Sequence, residues 1–359
     1  MRILILWASE LNPNLGVRAL ARGSRDLLAT VWPDAEFTFA DFGQRPATIP
    51  WGSPRALLRE RITGRLGMQE YFRTFDLIWD TRSGDSFADI YGLRRHTVMS
   101  LVHEFARQAG TPVVMAPQTF GPFTTTRGRL LARRNLRRSA RVFSRDPASE
   151  ASARRLGRRV DATVTDLVFG INQPVPADAH DVVLNVSGLL WNSNSHVDHR
   201  AYRSAVREVI EGLLANGRRV TLLPHVLDSG DHDNDVPTAR ELLAEFDGRI
   251  DLVVPEELDD ARALIASANV VIGARMHACL NALSTGVPAI AMAYSRKFEP
   301  LMRSIEWPYV VELSGGPDVA AAVLTLVADP SLTERARASR GRAQELLGRA
   351  VLLLRSGVS

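Results

Sequence analysis

Short apolar runs of strand length alternate with stretches of helical period along the whole chain, and that alternation admits little besides βαβ units carrying a parallel sheet. In the first half the pattern predicts strands at Arg2–Trp7, Glu36–Phe42, Phe75–Asp80, Thr111–Ala116, Arg141–Ser144 and Ala162–Thr165. Helical stretches separate them, such as Tyr91–Gln108 with apolar residues at Leu93, Val98, Leu101, Val102 and Phe105. Asp146-Pro147 reads as an N-cap followed by proline in the first helical turn. The second half repeats the scheme at Val182–Val186, Arg219–Leu223, Leu252–Val254, Val270–Ile272 and Ala289–Ala293. Ser331-Leu332-Thr333-Glu334 has the form of a capping box opening a last helix to about Leu354. The polar, proline-containing stretch Ile171–Asp178 marks a junction. The expected fold is α/β, with two Rossmann-like doubly wound domains over residues 1–172 and 180–359 and the last helix packing back on the first.

Composition narrows the function classes. One cysteine, Cys279, excludes an internal disulfide framework and fits a reducing compartment. The opening apolar run is too short for a signal peptide, and no run reaches membrane-spanning length, so a cytoplasmic protein is expected. A net charge of +4 and a pI near 9.7 raise the question of an anionic partner. The densest basic stretch holds Arg127, Arg129, Arg133, Arg134, Arg137, Arg138 and Arg141. It lacks the interleaved aromatics that stack on single strands, and no DNA- or RNA-binding motif is present, so nucleic acid is not an expected partner. The charge leans instead toward peripheral association with the inner face of a membrane, or a lipid-diphosphate substrate.

In doubly wound sheets, ligands bind beyond the carboxyl ends of the strands. Unusual polar clusters fall at those ends here: Thr81–Asp89, Pro117–Pro122, Arg145-Asp146 and Asp166 in the first half. In the second half they are Pro224-His225, Arg275-Met276-His277 and Tyr294–Lys297. After Gly273 a helix beginning near Arg275 would aim unpaired N–H groups and its positive dipole end at a ligand. With Arg275, His277 and Lys297 nearby, the pocket suits a strongly anionic small molecule held by charge-assisted hydrogen bonds. His225, Asp228, Asp231, His232, Asp233 and Asp235 form a polar run read as a solvated loop, and no metal site is expected.

Lys297 is the sole lysine among 44 basic residues, the other 43 being arginine. A compact ammonium differs from a planar, permanently charged fork. Its survival against so strong a bias suggests a site that needs a point charge or a transferable proton.

These residues resemble the polysaccharide pyruvyl transferases. The resemblance is carried by Ser83-Gly84-Asp85-Ser86-Phe87, Gln118-Thr119-Phe120-Gly121-Pro122-Phe123, Ser144-Arg145-Asp146, Asn185–Leu190, Leu223-Pro224-His225, and the Arg275–x–His277 element with Tyr294 and Lys297. The amino-terminal Asn12–Val17, with Asn14-Leu15-Gly16, is less glycine-rich than the family's pattern. The resemblance implies a GT-B-like arrangement with an inter-domain cleft, and transfer of pyruvate from phosphoenolpyruvate onto a sugar as a ketal. It implies no cofactor, phosphoenolpyruvate as co-substrate, and a saccharide or lipid-linked saccharide acceptor. Arg145, Arg275, Met276, His277 and Lys297 would then form the phosphoenolpyruvate site, with His277 or Lys297 as the acid. Asp85 is the candidate base, and Asn14, Asp85, Gln118 and His225 the candidate acceptor-binding residues. One alternative is a GT-B glycosyltransferase using a nucleotide sugar, with Glu299 or Glu306 on a ribose. Another is a carbohydrate-binding protein without chemistry.

If the ammonium of Lys297 is placed for one oxygen or one proton, the larger fork of Lys297→Arg misfits. That variant is expected to fold, to bind phosphoenolpyruvate more weakly, and to lose at least about tenfold in kcat/KM, or about 1.4 kcal/mol. Steady-state kinetics at an unchanged melting temperature test this, and wild-type kinetics would make the lone lysine an accident of composition.

Overall fold

A computed structural model describes residues 1–227, 233–314 and 318–358. The chain divides into two compact units. The first comprises Met1–Asn12, Leu20–Gly170 and Gln344–Ser359, and the second Pro13–Ala19 and Ile171–Ala343.

The first unit is built on a wholly parallel sheet of β1 (Arg2–Leu6), β2 (Glu36–Ala40), β3 (Leu77–Asp80), β4 (Val113–Gln118), β5 (Arg141–Ser144) and β6 (Ala162–Thr163), in the order β2-β1-β3-β4-β5-β6. Strands β3 and β4 are buried at every position and apolar except for Asp80 and Gln118 at their carboxyl ends, as helices above and below a parallel sheet require. Edge strand β2 instead alternates in exposure. The second unit has a parallel sheet of β7 (His180–Asn185), β8 (Val220–Leu222), β9 (Asp251–Leu252), β10 (Ala268–Gly273), β11 (Ala289–Ala293) and β12 (Val310–Glu312). Its order is β12-β11-β10-β7-β8-β9, so the winding reverses between β7 and β10. In the first sheet the reversal lies between β1 and β3.

Every strand expected from the sequence is present; six are shorter by one or two residues, while β7 and β10 are longer by one and three. Strand β12 was not foreseen, because three residues at a sheet edge leave no periodic signal. Strand β4 also runs two residues further than expected, through Pro117, where the register shifts between Met115 and Gln118. A bulge is where a sheet tolerates a residue without an N–H. Asp146 caps its helix as expected, accepting from the Ser149 amide at 2.7 Å. The last helix runs Leu332–Arg355, but the Ser331 hydroxyl donates to Asp329 at 2.7 Å. Among the described residues no helix is long and apolar enough to cross a membrane.

The core of the first unit holds two neutral histidines. Burial, reinforced by the charge of Arg82, lowers the His96 pKa to about 4, although Nε2 bonds the Gly128 carbonyl at 3.1 Å. Burial also lowers that of His103, against the pull of Asp80 at 2.9 Å. Because both folded values lie below the unfolded one, the unfolded chain takes up protons first as pH falls. The stability they carry is therefore complete above about pH 6.5 and is lost below it, by up to about 1.4 kcal/mol per pH unit for each histidine. Denaturant unfolding between about pH 7 and pH 5 is expected to show that loss. His96→Gln, which keeps a donor for the Gly128 carbonyl but does not titrate, is expected to flatten the slope; an equal slope would mean that His96 is charged in the fold.

Candidate active site

In the second unit the candidate residues gather at the reversal point, where the carboxyl ends of β7 and β10 separate. The chain leaves β10 at Gly273, and Arg275 forms the amino-terminal boundary of the helix Met276–Thr285. The Arg275 amide is satisfied by Asn185 Oδ1, at the end of β7, at 3.0 Å. The side chain of Met276 is buried, so what it offers a ligand is its backbone at the first helical turn. His277 follows in the same turn and is half-buried.

Arg275 is not presented as an open fork. Its three guanidinium nitrogens are engaged, Nη2 by Asp235 Oδ1 and the Asp233 carbonyl, both at 2.6 Å, Nη1 by Asp233 Oδ1 at 2.7 Å, and Nε by Asp235 at 3.2 Å. Burial alone would lower its pKa, but Asp235 and Asp233 overcome this and hold the cation above its ordinary value. Asp235 is fully buried and also accepts from the amides of Gly188 (2.8 Å), His225 (3.0 Å) and Val226 (3.0 Å). The reading of the His225–Asp235 run as a solvated loop is therefore corrected at His225 and Asp235, both of which are buried; Asp228, Asp231 and His232 lie outside the described residues. Arg275 anchors that run through Asp233 and Asp235. Among the described residues no group of three His, Cys, Asp or Glu side chains is arranged to hold a metal.

His225, expected to touch the acceptor, is buried. Burial, with the charges of His277 and Arg275, pushes its pKa well down, so it is neutral. Asn281, one helical turn after His277, places its Nδ2 at 3.2 Å from His225 Nε2 and at 2.8 Å from the His277 carbonyl. The amide orientation is fixed because Asn281 Oδ1 accepts from buried Arg262 at 2.7 Å. An amide nitrogen only donates, so His225 Nε2 accepts and its proton resides on Nδ1. Asn281 and Arg262 were missed from the sequence; the i, i+4 spacing of His277 and Asn281 was the available signal.

The segment Asn14–Gly16 also belongs to this unit. The Leu15 amide donates to the His225 carbonyl at 3.0 Å, and Asn14 Oδ1 accepts from the Gly16 amide at 2.8 Å. A Cβ on Gly16 would lie 2.8 Å from His277 Nδ1 and 2.9 Å from Cγ, so the imidazole rests on bare backbone. Lys297 follows β11, the neighbour of β10, and forms the amino-terminal boundary of the helix Phe298–Ser304. Tyr294 packs its ring on Phe298, with centroids 5.7 Å apart.

The remaining candidates lie in the first unit. Arg145, after β5, is buried and donates to Thr119 Oγ1 and Asp166 Oδ2, both at 2.8 Å, while its Nη2 has no hydrogen-bond partner among the described residues. Asp85 is half-buried beyond β3 and accepts from the Tyr91 hydroxyl at 2.9 Å. Gln118 is fully buried, and its Nε2 ties β4 to β3 through the Asp80 carbonyl at 2.8 Å.

A model of the family described as polysaccharide pyruvyl transferase matches residues 14–296, most of the chain. The chain belongs to that family. The match takes in Asn14, Gly16, Asp85, Arg145, Asp235, Arg275 and His277, and ends one residue short of Lys297. Over 250 residues the chain is 23% identical to the amylovoran biosynthesis protein AmsJ of Erwinia amylovora, covering 63% of this chain and 58% of that protein. The alignment thus spans a little over half of that relative's length. Among solved structures, a putative UDP-N-acetylglucosamine 2-epimerase from Listeria monocytogenes is similar over 99% of this chain and 97% of its own, with a TM-score of 0.65 at 10% identity. Anabaena Alr3699/HepE in complex with UDP and glucose is similar over 99% and 100%, with a TM-score of 0.59 at 15% identity. At such identities the likeness shows the fold alone, a two-domain α/β fold of the GT-B kind.

Gly16 lies in an ordinary helical conformation, so alanine is tolerated by the backbone but not by the imidazole resting on it. Gly16→Ala is expected to fold with a melting temperature close to wild type and to lose on the order of a hundredfold in turnover, the usual cost of displacing a reacting group by about 1 Å. Unchanged turnover would show that the position of His277 is immaterial.

Proposed function

We propose that this family member transfers pyruvate from phosphoenolpyruvate onto two hydroxyls of a saccharide, free or lipid-linked, to form a ketal in polysaccharide or glycan biosynthesis. The observation that carries the reading is the half-buried His277 imidazole, seated against Gly16 in the first turn of a helix at the sheet's reversal point. A helix amino terminus favours an anion, and phosphoenolpyruvate carries a phosphate and a carboxylate on one small frame. Lys297 adds a point charge beyond the next strand.

In this reading His277 delivers a proton to the methylene carbon of phosphoenolpyruvate as general acid. The cationic centre left at C2 is attacked by one sugar hydroxyl, and the second hydroxyl closes the ketal as the C2–O bond to phosphate breaks. One hydroxyl proton replaces the one given to the methyl group, and the other leaves with phosphate, so no further reactant is needed. Lys297 stabilises the departing phosphate. Asp85, held by Tyr91, is the proposed base or sugar ligand, and Arg275 is a positioning residue acting through Asp235.

Two measurements test this. Phosphoenolpyruvate is expected to raise the melting temperature and a uridine diphosphate not to; the reverse would favour a nucleotide-sugar glycosyltransferase. His277→Ala is expected to remain folded and to lose most release of inorganic phosphate from phosphoenolpyruvate across a saccharide panel. Near-wild-type release would return His277 to a structural role.

A further inference from the structure

We infer that the arginine-bearing face of the first unit docks the protein on an anionic lipid bilayer. The helix Thr126–Arg138 contains no acidic residue, and Arg129, Arg133 and Arg137 recur at i, i+4 and i+8 on one exposed face. Like charges at that spacing destabilise a helix, so local stability does not explain the stripe.

The neighbouring arginines show what compensation looks like. Arg134 and Arg138 converge with Arg107 on the mostly buried Glu104 carboxylate, at 2.8, 2.6 and 3.4 Å. Burial would raise the Glu104 pKa, but Arg134, Gln108 and Arg138 hold it near 2. Arg133, Arg137 and Arg155 have no carboxylate partner among the described residues. Arg133 and Arg155 instead border a cavity of about 330 Å³, together with Arg129, Leu130, Leu156 and Gly157. Arg137 reaches it as well, its Nη2 lying 3.6 Å from where a Cβ on Gly157 would stand.

Leu130 decides which anion fits. It is 62% exposed within this ring of guanidinium groups. A free phosphate offers nothing to an exposed leucine, and a nucleic acid would ask for stacking rings that the face does not carry. A bilayer offers both, phosphates for the cations and acyl chains for the leucine. The inference is independent of the donor chemistry proposed above.

The test is flotation of the full chain with vesicles of phosphatidylcholine alone or of phosphatidylcholine with about one quarter phosphatidylglycerol, at near-physiological salt. Binding to the anionic vesicles only is expected. Each basic residue at such a surface is worth about fivefold in partitioning, so Arg133→Glu/Arg137→Glu/Arg155→Glu should lower it by at least on the order of a hundredfold. If reversal disturbs folding, Arg133→Gln/Arg155→Gln is the measurement, with about a thirtyfold loss expected. Leu130→Asn should weaken vesicle binding without changing elution from a cation-exchange column. Failure of the wild type to float, equal flotation of the arginine variants, or tighter binding to single-stranded RNA than to vesicles would each overturn the proposal.

Discussion

The candidate site of the second unit depends on one buried carboxylate. Asp235 receives amides from the chain beyond β7 and β8, and the Arg275 guanidinium from beyond β10. Three strand ends that diverge at a reversal point are thereby held to a single group. A buried pair of this kind gives little net stability, because desolvating both charges offsets most of their attraction. Removing one partner is another matter, since the survivor is left charged and unsolvated, at a cost of about 3–5 kcal/mol. The pair is therefore better understood as a device for geometry. It fixes where the helix Met276–Thr285 begins, and so where His277 sits.

This division of labour explains what could be read from the sequence and what could not. The alternation of apolar runs located eleven of the twelve strands, and the strand-end rule placed Arg275, His277 and Lys297 at one edge, because both signals are local. The partnership of Arg275 with Asp235 spans 40 residues and follows no period, so Arg275 looked like an open cation. Likewise Gln118 looked like an edge residue until β4 proved to continue through Pro117, which turned its amide into the sheet. The loop Asn12–Val17 looked poor in glycine, yet at Gly16 it has one where a Cβ would lie 2.8 Å from the His277 imidazole.

The two units solve the same topological problem differently. At the reversal point of the second, a helix begins at once and presents its amino terminus. At that of the first, the backbone is strained: Trp7, Arg82 and Ser83 have φ of 67°, 46° and 51°, in the left-handed region that side chains disfavour. A network over-determines the conformation. Ser83 Oγ donates to the Trp7 carbonyl at 2.9 Å, Thr81 Oγ1 to that of Leu6 at 2.7 Å, and Arg82 to Asp80 at 2.9 Å. Strain of this sort persists only where the surroundings enforce it. Here it sets the path of the backbone into Asp85, the carboxylate proposed as base or sugar ligand.

An arginine-biased chain makes these choices easier to read. Arg82, Arg145, Arg262 and Arg275 are all buried, and each uses the planar fork to satisfy oxygens fixed by the fold: Asp80, Asp166, Asn281 and Asp235. A lysine at any of these positions would supply one compact charge where two or more directed bonds are made, which is why the bias does no structural harm. The reverse substitution is the awkward one. At the boundary of a short helix beyond β11, a guanidinium would bring extra bulk and a cation that cannot release a proton. The same bias that stiffens the interior with forks therefore leaves the ammonium of Lys297 as the residue whose chemistry arginine does not reproduce.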